Sequence, residues 1–303
     1  MSKVPDFIII GAMKCATSSL HEQLAIQPGI YMSHLKEPNY FSDDDQYAKG
    51  WNWYCSHFEA AQKNDLCGES STHYTKLPTY PQTIQRLYHH LPNIKLIYVM
   101  RHPIDRLVSQ YIHEWTQRVI SVEINQAITQ YPELIEYSRY SMQLQPYFDT
   151  FGRDRVLPVF SENLCQTPQM ELERICNFIG YEGKPKWDYD LETRNQSSKR
   201  MRKSAWRDVL VEAPILKEIR QQWVPKEFRN WVRDLWTMKT KPELKIDQRT
   251  YLQEIFNKDL AILGSWLDID LFCDNFKSQV KYQGRDWHFP ERRSAIIYKK
   301  GQT

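Results

Sequence analysis

The segment that most constrains the fold is FIIIGAMKCATSSL, close to the start of the sequence. Phe7 to Ile10 is a short, mostly β-branched run that ends at Gly11, the pattern of a parallel strand buried on both faces. Thr17 to Gln27 carries Leu20, Leu24 and Ala25 on one face and stops at Pro28-Gly29, so it reads as a helix. A strand that turns through glycine into a helix builds an anion cradle. The first backbone N–H groups of the helix point outward, and the helix dipole adds partial positive charge. Gly11 lets the chain turn without a Cβ clash, Ala16 permits close approach, Thr17, Ser18 and Ser19 offer hydroxyl donors, and Lys14 supplies a full charge. A nucleotide-triphosphatase loop requires GxxxxGK[ST]. Here the lysine follows Gly11 by three positions, and no GK[ST] occurs anywhere in the sequence.

Further strands are expected at Ile30 to Leu35, Leu66 to Glu69, Leu96 to Met100 and Val156 to Phe160. Helices are expected at Tyr80 to Leu91, Ile104 to Gln117, Pro168 to Ile179 (closed by Gly180) and Asp247 to Leu267. This alternation predicts an α/β fold with a P-loop-like central parallel sheet flanked by helices. Residues from about 185 to 245 are rich in Trp, Arg and Lys and show no strand, so they read as a helical C-terminal cap. The expectation is one domain over 1–303. It has a nucleotide-binding core to about 183, then cap, long helix and tail over 184–303, the part after Gln283 reading as a solvated tail.

Charge narrows the ligands. Forty Lys and Arg face 37 Asp and Glu, a net charge of +3, without the strong basic bias of a nucleic-acid partner. Any anion must be held by local groups. The six cysteines are scattered, with no CxxC pair and no metal-ligand spacing, which reads as free thiols in a reducing, cytoplasmic setting. Apolar runs are too short for a membrane span. The Asp43 to Asp45 run lacks the glycine and glutamate of a calcium loop, so no metal is expected. Cys15, beside Lys14, reads as a thiol of lowered pKa open to thiol reagents.

A second anion site is legible in LIYVMRHPIDRLVSQYIHEW. The strand ends at Met100, which puts Arg101 at the carboxyl edge of the sheet, where open α/β folds bind ligands. Ser109 lies about two turns into the following helix, and an arginine fork with a hydroxyl donor suits phosphate. Together the two segments resemble the sulfotransferases that use 3′-phosphoadenosine-5′-phosphosulfate (PAPS). Gly11, Lys14, Thr17 and Leu20 match the family's GxxKxGTTxL loop, with Ser18 for the second threonine and Ala16 for the usual glycine. Arg101, Pro103, Arg106 and Ser109 match its RxPxxRxxS element. The resemblance implies that residues 11 and 14–19 (Cys15 among them) hold the 5′-phosphosulfate. It further implies that Arg101 and Ser109 hold the 3′-phosphate and that Arg106 is structural. A basic run containing Lys199, Arg200 and Arg202 resembles the loop that closes over the 3′-phosphate.

The acceptor side is also written in motifs. Glu37, Phe41, Gly50, Trp53 and Tyr54 match the KExxFF and GxxWY elements of the family's glycan-type branch, where that glutamate is the general base. Gly68, Glu69, Ser71 and Tyr74 match GExSPxY, with Thr72 for proline and Ser70 where some relatives carry lysine. Glu37 is the first candidate for the base, with Glu69 and His73 as others, and Lys14 would stabilise the leaving oxygen. The implied function is metal-independent sulfuryl transfer from PAPS, leaving PAP, to a hydroxyl or amine of a small-molecule or saccharide acceptor. Two alternatives stay open: a P-loop nucleotide kinase or triphosphatase, and a non-catalytic PAP-binding module.

Overall fold

The computed structural model describes residues 3–191, 242–281 and 286–287. Five parallel strands, β1 (Phe7–Gly11), β2 (Ile30–Met32), β3 (Leu66–Ser70), β4 (Lys95–Met100) and β5 (Val156–Phe160), form one sheet in the order β2-β3-β1-β4-β5. The intervening helices are α1 (Thr17–Ala25), α2 (Asp44–Tyr47), α3 (Trp51–Ser56), α4 (Thr83–His90), α5 (Pro103–Thr116), α6 (Ile124–Gln130), α7 (Glu133–Glu136) and α8 (Tyr140–Phe151). After β5 come α9 (Ser161–Gln166), α10 (Pro168–Ile179), the long α11 (Ile246–Leu267) and α12 (Phe276–Gln279).

β1 is central because every one of its side chains is apolar and none reaches water: Phe7, Ile8, Ile9 and Ile10 are all fully buried. Each such side chain contributes roughly 1.5–3 kcal/mol of transfer free energy, which fixes the strand in the middle of the sheet. The pairing of Phe7 with Gly68 on β3 and with Lys95 on β4 sets the register. Gly68 has no room for a side chain, since a Cβ there would meet the Phe7 ring at 2.2 Å. The chain builds β2 and β3 on one side of β1 and then crosses to build β4 on the other. The carboxyl ends of β1 and β4 therefore flank the reversal in strand order where α/β sheets take ligands.

Between Gln117 and Val156 the sequence pattern assigns no element, yet α6, α7 and α8 stand there. The reason for α8 is Pro146, which lies inside the helix and interrupts its local signal. Burial of Tyr140, Leu144, Tyr147, Phe148 and Phe151 holds the helix despite it. α11 packs on α8 through Leu252, Phe256, Leu260 and Leu263, and its buried Asp259 accepts from the Ser141 N–H (3.0 Å) and Met142 N–H (3.2 Å). The tail also departs from expectation at Trp287. It is buried, and its indole N–H donates to the Val156 carbonyl at 2.6 Å, tying it to the edge strand β5. Most of the cap expected over 184–303 lies outside the described residues.

Candidate active site

Gly11 ends β1 at a place where backbone and side chain are nearly in contact. A Cβ there would sit 1.9 Å from Thr75 Oγ1, whose hydroxyl donates to the Ile10 carbonyl at 2.8 Å. After this pinch the loop makes a compact turn, with Lys14 and Ala16 both left-handed (φ 71° and 66°). Ala16 is the N-cap of α1 and supplies no side-chain cap hydrogen bond. The N–H groups of Thr17, Ser18 and Ser19 open the first turn of α1, at the positive end of its dipole. Thr17 is buried, Ser19 half-buried and Ser18 exposed. A left-handed alanine costs about 1–2 kcal/mol, and glycine returns part of that gain as unfolded-state entropy. Ala16→Gly is thus expected to raise stability by about 0.5–1 kcal/mol, read from denaturant midpoints.

Cys15 corrects the sequence expectation. It is fully buried, its thiol lies 4.0 Å from the Tyr140 hydroxyl, and burial pushes its pKa up to about 12 against the opposing pull of Arg106 and Arg101. The loop lysine does not activate it, because desolvation outweighs the nearby charges. Only its backbone can serve an anion.

Arg101 leaves the tip of β4 beside this loop. Its guanidinium Nη1 donates to the Lys14 carbonyl over 3.4 Å. Its backbone is clamped by Tyr140, whose hydroxyl donates to the Arg101 carbonyl at 2.6 Å and accepts from the Arg101 N–H at 3.2 Å. His102 then starts α5. Its Nδ1 accepts from the Asp105 N–H at 3.4 Å while Nε2 donates to the Cys273 carbonyl at 2.9 Å, and Pro103 opens the helix. Ser109 lies buried in the same helix. Arg106 is fully buried and its guanidinium donates to the Gln110 side chain (2.8 Å) and the Leu134 carbonyl (2.9 Å), so it braces α5 against α7. The structure thus brings Lys14 and Arg101 to neighbouring strand tips, with Ser109 buried in the helix that follows Arg101. Lys199, Arg200 and Arg202 lie outside the described residues.

The opposite wall is the loop after β2, zipped along the end of β3. The Ser33 N–H donates to the Gly68 carbonyl (2.8 Å), the Glu37 N–H to the Ser70 carbonyl (3.0 Å), and the Asn39 N–H to Ser71 Oγ (3.1 Å). Glu37 is left-handed (φ 55°), a strained conformation of the kind that gathers at functional sites. The Thr72 hydroxyl donates to its Oε2 at 3.1 Å. Half-buried Lys76 feels Glu37 and Glu114, and Glu114 on α5 feels both Lys76 and Lys14. A chain of alternating charge therefore runs from Lys14 to Glu37. Lys76, Glu114 and Tyr140 carried no motif, and Thr72 stood only as a departure from one; their three-dimensional neighbours reveal them.

Glu69 and His73 occupy different settings. Glu69 is fully buried; burial pushes its carboxyl up to about 8, and the hydroxyls of Tyr74, Tyr54 and Ser71 only partly offset this. None of them closes to hydrogen-bonding geometry on its oxygens. Between about pH 4.5 and 8 the folded protein holds a proton there that the unfolded chain has released, so stability falls as pH rises through that window. The slope from this group approaches about 1.4 kcal/mol per pH unit, and Glu69→Gln is expected to remove it in denaturant titrations across the window. His73 stacks on Tyr80 (ring centroids 4.9 Å apart), and burial lowers its pKa to about 4. Trp51 stacks on His90 at 4.4 Å, and Trp53 packs edge-on to His57 at 4.5 Å, so both rings serve the fold. Among the described residues no group of His, Cys, Asp and Glu is arranged to hold a metal, and no helix is long and apolar enough to cross a membrane.

A model of the sulfotransferase family matches residues 27–185. The chain is 38% identical over 120 residues to the membrane-associated sulfotransferase kil1 of Dictyostelium discoideum, covering 38% of this chain and 24% of that protein. It is 29% identical over 187 residues to heparan sulfate glucosamine 3-O-sulfotransferase 3B1 of Mus musculus, covering 59% of this chain and 46% of that protein. These matches span about a quarter and about half of the relatives' lengths. A solved sulfotransferase from Alicyclobacillus acidocaldarius shares the fold, with a TM-score of 0.63 at 22% identity over 89% of this chain and 98% of that one.

Proposed function

The chain belongs to the sulfotransferase family, and from that premise we propose that it transfers a sulfuryl group from PAPS to a hydroxyl or amine of a small-molecule or saccharide acceptor. The observation that carries this reading is the 3.4 Å approach of the Arg101 guanidinium to the Lys14 carbonyl. It sets the Arg101 guanidinium against the backbone of the Lys14 loop, which supports a reading in which two anion sites lie at the ends of adjacent strands within the span of one adenosine bisphosphate. The first turn of α1 and the close-packed Gly11 fit a phosphosulfate group lying against backbone N–H donors.

PAPS supplies the sulfuryl group and a phosphate leaving group. In this reading residues 1–183 form the donor-binding core. Gly11 and the backbone from Lys14 to Ser19 hold the 5′ end, and Arg101 with Ser109 holds the 3′-phosphate. Lys14 stabilises the oxygen on which negative charge grows as the leaving group departs. Glu37, oriented by the Thr72 hydroxyl and by its own N–H on Ser70, takes the acceptor's proton. Glu69, sealed and holding its proton at neutral pH, is a buried neutral acid here rather than the base.

The test is incubation with labelled PAPS and a library of hydroxyl and amine acceptors, reading sulfated products by mass. Turnover of ATP with magnesium and no sulfated product would contradict the reading. Loss of a bidentate arginine–phosphate contact removes a charge-assisted interaction. Arg101→Ala is expected to weaken PAP binding by about 10- to 100-fold in calorimetry. Unchanged PAP affinity in this variant would remove Arg101 from the donor site.

A further inference from the structure

A third cation reaches the first turn of α1: Lys36, the lysine of the KExxFF element, which the reading above leaves without a role. The Lys36 ammonium donates to the Ser18 hydroxyl, bridging the base-bearing loop to the phosphate loop. It also lies near His21, one turn further along α1, whose pKa it lowers after burial has done most of the work. Among the described residues Lys36 forms no ion pair. Its backbone is fixed by the same hydrogen bonds that zip the loop to β3, at Ser33, Glu37 and Asn39. The ammonium is therefore held in place with one of its three donors on a neutral, exposed hydroxyl. Lys36 and Glu37 are consecutive: the first reaches the donor loop, while the second is held by Thr72.

We propose that Lys36 is a further catalytic residue, whose ammonium contacts the non-bridging oxygens of the transferring sulfuryl group. The proposal rests on the donor reading above. In the step, the acceptor oxygen or nitrogen bonds to sulfur as the bond from sulfur to the phosphate oxygen breaks. The bonding pair stays on that phosphate oxygen, and the acceptor's proton passes to Glu37. Lys36 neither gives nor takes a proton. It holds the negative oxygens of the group in flight, while Lys14 serves the leaving oxygen, so the two lysines divide the charge.

PAP lacks the sulfuryl group, and this separates Lys36 from the phosphate-holding residues. Lys36→Met is expected to weaken PAPS by about 10- to 100-fold, as for loss of a charge-assisted hydrogen bond, while PAP affinity changes less than about threefold. Lys36→Arg, which keeps the charge, is expected to retain most of the preference for PAPS over PAP. Calorimetry with PAPS and with PAP on the full chain reads both constants. A Lys36→Met protein whose PAPS-to-PAP ratio is unchanged overturns the proposal, as does equal weakening of both ligands, which would make Lys36 a general electrostatic contributor. Failure of the unaltered protein to bind PAP would remove the donor reading itself, and Lys36 with it. Retained PAP binding with an unchanged ratio removes Lys36 alone.

Discussion

Lys14→Ala is expected to lower the sulfuryl-transfer rate about 10²- to 10³-fold, the usual consequence of deleting one preorganised donor at a developing oxyanion. Lys14 is held by a left-handed turn between Gly11 and the start of α1, and its carbonyl is engaged by Arg101. In the proposed reaction the charge Lys14 would answer grows only as the sulfur–oxygen bond breaks, so ground-state binding should suffer less than turnover. Single-turnover rates with PAPS, set beside PAP affinities from calorimetry, give the comparison. A variant that loses PAP affinity by as much as it loses rate would make Lys14 a plain phosphate ligand. Glu114 lies in the field of this lysine, so the same measurement on Glu114→Gln tells whether the charge chain to Lys76 matters to the rate.

Glu37→Gln is expected to cut turnover about 10²- to 10⁴-fold while leaving PAP binding unchanged. Glutamine keeps the shape and accepts the Thr72 hydroxyl bond but cannot take a proton. If Glu37→Gln retains near-normal turnover, the base lies elsewhere. His73 would then be the next residue to replace, since burial keeps its ring unprotonated at neutral pH.

The sequence alone determined the elements whose signals are local. Phe7 to Ile10 as a buried strand, Gly11 as its turn, Pro103 at the opening of α5 and Gly180 at the end of α10 follow from apolar runs and from residues that set backbone conformation. The same locality made the phosphate loop and the RxPxxRxxS element legible, because each functional set lies within one strand-to-helix connection. Tertiary structure decided what depends on distant neighbours. Cys15 looks activated beside Lys14, yet burial against Tyr140, far along the chain, leaves it inert. α8 is hidden by Pro146 until Leu144, Tyr147 and Phe148 find their burial. Trp287, in a basic and aromatic tail, proves to be an anchor on β5. The placing of Lys36 on Ser18 and of Arg101 beside Lys14 likewise waits on strand order. Backbone preference is a property of a few consecutive residues, whereas desolvation and charge pairing belong to groups that meet only after the sheet has formed.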